Sequence, residues 1–439
     1  MAELIYKNGT ILTIDAEHRV LAGDVAAIDG AITHIGGTYT PQTSDYQVVD
    51  CSGCVIMPGL VQAHVHTCQT LARGHADDME LMDWLRKVIW PYEASLDAEG
   101  AGASAALACA ELLLGGTTAI LDMGTVHHTD AIFDAAERSG IRATIGKAMM
   151  DLPDPQIPKG LAESTSASLD ESARLIDRWH GTAGDRLRYA YAPRFVLSCT
   201  DELLREVGVQ AKARGVRIHT HASENTGEVA LVRQRFGKEN ITVLDELGLL
   251  GPHACIAHGV HLSADERRLL AQRGAHVCHC PSSNLKLASG IADLPALIAA
   301  GVSVALGADG APCNNNLDGF LELRLAALLH KPKHGPLALP APEAVRLATF
   351  AGARALGLAD RVGSLELGKR ADMIAVDLQA LHAVPSGSAW SAIAYAAKAC
   401  DVRHVSVDGR LVVRDRRLLT LDVDQVRANA ITVARRLFS

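Results

Sequence analysis

Hydrophobic and polar positions alternate at short range through about the first 55 residues, in LIYKNGTILTID, DVAAIDGAITHIGG and QVVDCSGCVIMPG. Period-two alternation broken by turn residues is the pattern of half-buried strands. Asn8-Gly9 and Asp29-Gly30 supply the dipeptides that two-residue hairpins favour. The same texture returns in GSLELGKRADMIAVDL and HVSVDGRLVVRDRRLL, with Asp408-Gly409 as a third hairpin signal. Two β-rich ends around a different middle predict one small β domain built from both termini, over residues 1–56 and 361–439.

The middle, 57–360, has another rhythm. Short β-branched runs alternate with longer Ala- and Leu-rich stretches such as DELLREVGVQAKARG and SADERRLLAQRG. Strands are expected over 60–66, 117–123, 143–149, 187–195, 217–222, 254–260, 275–280 and 303–307. Eight strand–helix alternations predict an α/β fold with a parallel (β/α)8 (TIM) barrel. A doubly wound sheet would carry a Gly-rich nucleotide loop after its first strand, and none is present. The segment KPKHGPLALPAPE reads as a Pro-rich loop that starts a helix.

Composition narrows the class further. At 439 residues the chain suits a barrel with a second, smaller domain, and 48% hydrophobic residues are ample for a large core. A net charge of −8, with no basic run, gives no support for binding a nucleic-acid polymer. No signal-peptide pattern opens the chain, and its apolar stretches are too short to span a membrane. A soluble, cytoplasmic protein is expected, without a membrane partner. Ten scattered cysteines fit free thiols. Cys51 and Cys54 form a C-x-x-C pair that lacks a second pair, and they read as two thiols near a turn.

Barrel active sites lie at the C-terminal ends of the strands. The first expected strand ends in His64-Val-His66, and i, i+2 spacing places both imidazoles on one face. Alone this is weak, because 19 histidines in 439 residues yield about one H-x-H pair by chance. The set is stronger. The fifth strand ends in His219-Thr-His221-Ala-Ser-Glu224, the sixth in His258, and the eighth in Asp309-Gly310. Imidazoles and carboxylates at successive strand ends are poor core filling. Three imidazoles with one carboxylate suit a divalent ion, zinc in particular, with iron and manganese also accepting such a set.

The motifs PGLVQAHVH, HASE, AHG, HCPSSNLKLASG and GADGAPCNNNLD resemble the amidohydrolase superfamily, in its mononuclear aminohydrolase branch. That branch contains methylthioadenosine/S-adenosylhomocysteine, 5'-deoxyadenosine and guanine deaminases, and the triazine hydrolases. The resemblance covers nearly the whole chain and implies a barrel with a composite β-sandwich. By motif, His64, His66, His221 and Asp309 would bind one metal ion, while His219 would be structural. Two-metal relatives bridge their ions with a carbamylated Lys on the fourth strand, and LRYAYAPRF offers none. Glu224 and His258 would flank the attacking water. Asp309 would take its proton, Glu224 would protonate the ring nitrogen, and His258 would stabilise the tetrahedral oxygen.

The resemblance also implies substrate contacts. In GHADDMELMDWLRKVIWPYEASL, Trp84 would pack on a nucleoside and Glu93 would hold ribose hydroxyls. Gln69, Arg194 and Phe195 look instead like the base-binding residues of guanine deaminases. The methylthioadenosine/S-adenosylhomocysteine deaminases usually place a His where Arg194 stands, whereas the WHGTAGDRLRYAYAPRF stretch resembles 5'-deoxyadenosine-type deaminases. The expected substrate is a small aminated heterocycle, most of all a 5'-modified adenosine. A guanine- or pterin-type base and an s-triazine remain as alternatives. A non-catalytic scaffold is disfavoured because every ligand position is filled. Large barrels of this kind often pair, so a homo-oligomer is compatible with the sequence.

Overall fold

A computed structural model describes residues 2–438 of the chain. Eight parallel strands form the barrel: β1 (Leu60–His66), β2 (Thr117–Met123), β3 (Arg142–Gly146), β4 (Leu187–Pro193), β5 (Arg217–Ala222), β6 (Ala254–His258), β7 (His276–His279) and β8 (Ser303–Leu306). Strands adjacent in sequence pair with each other around the sheet, and Asp309–Gly310, just past β8, pairs with Val65 and His66 of β1. That pairing closes the ring. It requires Gly307, where a Cβ would lie 2.5 Å from the His64 carbonyl oxygen.

The expected strand positions match, with one interruption. The run 143–149 splits into β3 and a separate pair, Ala148–Met149, that joins the far end of β4. Small side chains fill one part of the barrel: Ala119, Ala190, Cys255, Cys278 and Ala305 meet in one buried cluster. Cys255 Sγ reaches the Ala63 carbonyl at 3.6 Å. Helices follow the strands and carry their own stop signals. Helix Ala264–Arg273, for example, begins with a reciprocal Ser263/Glu266 capping box and ends at Gly274 in the left-handed conformation.

Both termini build the second sheet. Cys54–Pro58 and Met373–Asp377 pair antiparallel at its centre, with Glu3–Leu12 on one side and Val402–Val407 on the other. Its nine strands wrap a core that contains Leu4, Tyr6, Val25, Ile56, Met373 and Leu411, making the small sandwich. Asp29-Gly30 and Asp408-Gly409 turn hairpins, each with positive φ at both residues. Asn8-Gly9 does not. It lies inside Glu3–Leu12 as a bulge, where the register with Val20–Ile28 shifts. Asp24 Oδ1 accepts the Asn8 N–H at 3.0 Å, and a Cβ on Gly9 would meet Ile56 at 2.4 Å. The dipeptide supplies the positive φ that both settings use, at Asn8 in the bulge as at Asp29 and Asp408 in the hairpins.

A buried Arg142–Asp372 pair (2.7 and 3.0 Å) ties β3 to the terminal sheet. Helix Val423–Leu437 leaves that sheet and packs on barrel helix Ala98–Leu114. All ten cysteines are free. Cys51 and Cys54 are buried at a turn, and burial pushes the Cys54 thiol up to about 11, so neither is poised for redox or metal chemistry. Among the described residues no helix is long and apolar enough to cross a membrane.

Candidate active site

The strand ends converge at one mouth of the barrel. His66 Nε2 lies 3.2 Å from His221 Nε2, and Asp309 Oδ1 lies 3.2 Å from His64 Nε2 and 3.5 Å from His66 Nε2. Main-chain pairing brings them there. β1 presents two imidazoles, β5 a third, and the closing pair beyond β8 the carboxylate. Asp309 adopts φ 63°, a left-handed conformation that Asp tolerates better than most residues.

The hydrogen bonds behind these rings fix their tautomers. His66 Nδ1 donates to the Met123 carbonyl (2.8 Å), and His221 Nδ1 donates to the Arg194 carbonyl (2.6 Å). A carbonyl only accepts, so each Nε2 keeps a lone pair in the neutral ring. Burial holds both rings neutral: it pulls His66 down to about 3 and His221 well below its ordinary value. Two lone pairs facing each other at 3.2 Å beside a carboxylate oxygen repel one another. His64 Nδ1 is engaged by His219 Nε2 at 2.8 Å, and its buried Nε2 makes no hydrogen bond. A cation among these atoms resolves both features. Three imidazole nitrogens and a carboxylate oxygen fit a divalent transition ion.

A second pair stands beside this set. Burial raises the Glu224 carboxyl to about 7, and Ser289 Oγ donates to its Oε1 at 3.4 Å. His258 Nε2 lies 3.5 Å from Glu224 Oε2 and 3.8 Å from Asp309 Oδ2. Burial works to lower the His258 pKa, but the Glu224 and Asp309 carboxylates outweigh it and the net shift is upward. Supporting groups that the sequence did not single out hold the pair. His258 Nδ1 donates to Asn284 Oδ1 (2.9 Å), and Ser283 Oγ donates to Asp309 Oδ2 (2.7 Å). Glu228 accepts the main-chain N–H groups of Ser223 and Glu224 at 3.3 and 2.7 Å, which fixes the turn after β5. Ser283, Asn284 and Ser289 belong to the HCPSSNLKLASG motif. That motif was the available signal for them.

A narrow pocket opens over these groups. His66, His221, Glu224, His258 and Asp309 form its floor, and Leu81, Trp84, Leu85, Phe195 and Leu287 its apolar wall. Arg194 also lines it, whereas Gln69 and Glu93 lie behind Arg194. The Glu93 carboxylate, wholly buried, takes a two-pronged ion pair from Arg194, with NH2 at 3.2 Å from Oε1 and NH1 on Oε2. Gln69 Nε2 donates to the same Oε1 at 2.8 Å. The three residues read as separate substrate contacts thus form one cluster, of which only Arg194 lines the pocket.

Comparison with known proteins agrees with this geometry. The family model described as "Amidohydrolase family" matches residues 55–412. A 5-methylthioadenosine/S-adenosylhomocysteine deaminase from Syntrophobacter fumaroxidans is 42% identical, over 99% of this chain and 98% of the relative. A 5'-deoxyadenosine deaminase from Methanosarcina acetivorans is 40% identical, over 100% of this chain and 99% of the relative. Among solved structures, an adenosine deaminase from Xanthomonas campestris with bound zinc superposes with a TM-score of 0.91 at 34% identity, covering 99% of this chain and 98% of that one. Match, identity and coverage together place this chain in the amidohydrolase family.

Proposed function

We propose that this chain is a metal-dependent hydrolytic deaminase that releases ammonia from a 5'-modified adenosine. One observation carries the reading: candidate ligand atoms of His64, His66 and Asp309 lie within 4.8 Å of one another, as do those of His64, His221 and His258, with 3.2 Å between His66 Nε2 and His221 Nε2, beside a pocket that also holds a carboxyl titrating near neutrality, Glu224. The chain's similarity to 5-methylthioadenosine/S-adenosylhomocysteine, 5'-deoxyadenosine and adenosine deaminases supports the same chemistry. The catalytic unit is the barrel over 57–360, and 1–56 with 361–439 forms the composite domain.

His64, His66, His221 and Asp309 would hold one divalent ion, with zinc the best match to three nitrogens and one oxygen. When bound, such an ion supplies a nucleophile at neutral pH by drawing the pKa of water from about 15.7 towards about 7. The protein groups manage the protons. Asp309 Oδ2, kept in place by Ser283, is the acceptor for the water proton. Glu224, with its pKa raised to about 7, is protonated often enough to donate to the ring nitrogen beside the amino-bearing carbon. The proton held on Asp309 passes to the departing amine while Glu224, now a carboxylate, takes the hydroxyl proton of the tetrahedral carbon, so water adds, ammonia leaves, a ring carbonyl remains and both carboxyl groups return to their starting states. His258, its Nδ1–H anchored on Asn284, presents Nε2 to the oxygen of the tetrahedral carbon. Trp84 and Phe195 supply flat apolar surface for the ring, and Arg194 reaches the pocket as a donor.

A second reading, a guanine- or pterin-type base as substrate, is favoured by a specific feature. Both Glu93 oxygens are engaged by Arg194 and Gln69, which leaves no free oxygen to receive ribose hydroxyls. Ammonia release from purified, metal-loaded protein separates the two. The panel is adenosine, 5'-deoxyadenosine, methylthioadenosine, S-adenosylhomocysteine, guanine, a pterin and an s-triazine. Highest kcat/KM on a 5'-modified adenosine is expected. Preference for guanine would favour the second reading, and no turnover of any aminated ring would end both.

A further inference from the structure

The pocket wall is an excursion between the first two barrel strands. Leu81, Trp84 and Leu85 line the pocket, and with Ile89 and Trp90 they pack in one apolar cluster with Met123, Ala192, Phe195 and Leu287 at the barrel mouth. The segment leaves the barrel through Gly74 and Asp78, both at positive φ (75° and 58°). It contains a π-helical turn over Leu85–Ile89, a geometry less stable than α-helix and common at functional sites. The helical stretch is therefore interrupted at mid-length, and contacts at its two roots add to the apolar cluster in setting its position over the floor.

Helix Val423–Leu437 reaches both ends of this segment. Phe438, directly after the helix, stacks on His75 at the start (centroids 3.7 Å apart, planes 7° apart). It also lies parallel to Tyr92 at the end (5.5 Å, 6°). Tyr92 in turn donates its hydroxyl to the Cys68 carbonyl at 2.8 Å, two residues beyond His66. Two residues before Phe438, Arg436 pairs with Asp97 at 2.6 and 3.0 Å, and Asp97 caps the next barrel helix. One ring thus bridges the two roots of the wall, although it comes from the far end of the sequence.

We infer that Phe438 is a positioning residue for substrate binding, latching the wall 76–91 over the pocket by stacking on His75 and Tyr92. Phe438 is 37% exposed, so the stack is a surface clip and its loss leaves the barrel core intact. Aromatic pairs of this kind act beyond simple area burial. The inference rests on reading the pocket as the substrate site, and its test has an arm that does not.

The test compares the full chain with Phe438→Ala and Phe438→Tyr by hydrogen exchange without substrate, and by steady-state deamination. In Phe438→Ala, exchange over 76–91 should speed up about threefold to tenfold, with the barrel strands unchanged. KM should rise by a similar factor, with kcat within about twofold of the parent. Phe438→Tyr should restore both. Unchanged exchange over 76–91 would overturn the latch. Faster exchange with an unchanged KM would overturn its role in substrate binding. If the parent turned over no aminated ring, the proposed function would fall, and the exchange result would still decide the latch.

Discussion

The floor and the wall of the pocket are built by different means. The candidate ligand groups at and beneath the floor sit on or just past barrel strands, and each of the three imidazoles has a partner behind it: Met123 O behind His66, Arg194 O behind His221, His219 behind His64. The wall sits on a helical stretch interrupted by a π turn, outside the barrel strands, and its links include long-range side-chain contacts. The Arg194–Glu93 pair joins residues 101 apart in sequence, and Phe438 arrives from beyond the terminal sheet. Strand pairing therefore fixes the chemistry, while a few separable contacts fix what the chemistry is offered. The amidohydrolase relatives share the barrel, so the wall is where substrate preference is most freely changed.

Substitutions should break this contrast in a definite order. Asp309→Asn should have the largest effect, a fall in kcat on the order of 10,000-fold or more, because it removes an anionic ligand and the proton acceptor together. Asn tolerates positive φ at this position, so circular dichroism and melting should stay near those of the parent. Chelation should reproduce the loss, and one equivalent of divalent ion should reverse it. Glu224→Gln should lower kcat about 100- to 10,000-fold while bound metal and KM stay close to the parent values. A parallel loss of metal would show instead that Glu224 belongs to the ligand set.

On the wall side, Glu93→Ala would leave the buried Arg194 guanidinium without its carboxylate. A denaturation midpoint shift equivalent to about 3–5 kcal/mol is expected. KM should rise for free bases and nucleosides alike, because the pocket-facing group that moves is Arg194. A rise confined to nucleosides would mean that Glu93 swings free to bind ribose. His219→Ala, which strips the support from His64, should weaken metal affinity about 10- to 100-fold and leave substrate preference unchanged.

Legibility in the sequence followed the same division. The barrel strands and the terminal sheet were readable because period-two apolar runs and hairpin dipeptides are local signals. The gathering of His64, His66, His221 and Asp309 at the barrel mouth was readable because H-x-H, H-T-H and A-D-G each fall at an expected strand end, where an unpaired polar group needs a reason. The Glu93–Arg194–Gln69 cluster was not readable as a cluster. Each residue carried its own resemblance, but nothing local says that a helix-borne carboxylate folds back onto a strand-end guanidinium instead of facing solvent-borne ligand. Phe438 gave no signal, because its stacking partners are chosen by how the helix after the second sheet docks. Asn8-Gly9 misled for a related reason, since a bulge and a hairpin draw on the same dipeptide.

The central claim is that four side chains from β1, β5 and the end of β8 share one ion. Anomalous diffraction from crystals of the catalytically active protein, collected above and below the zinc edge, tests it most directly. The account predicts a single peak enclosed by His64 Nε2, His66 Nε2, His221 Nε2 and Asp309. An active protein with no peak there, or with its metal bound elsewhere, would contradict it.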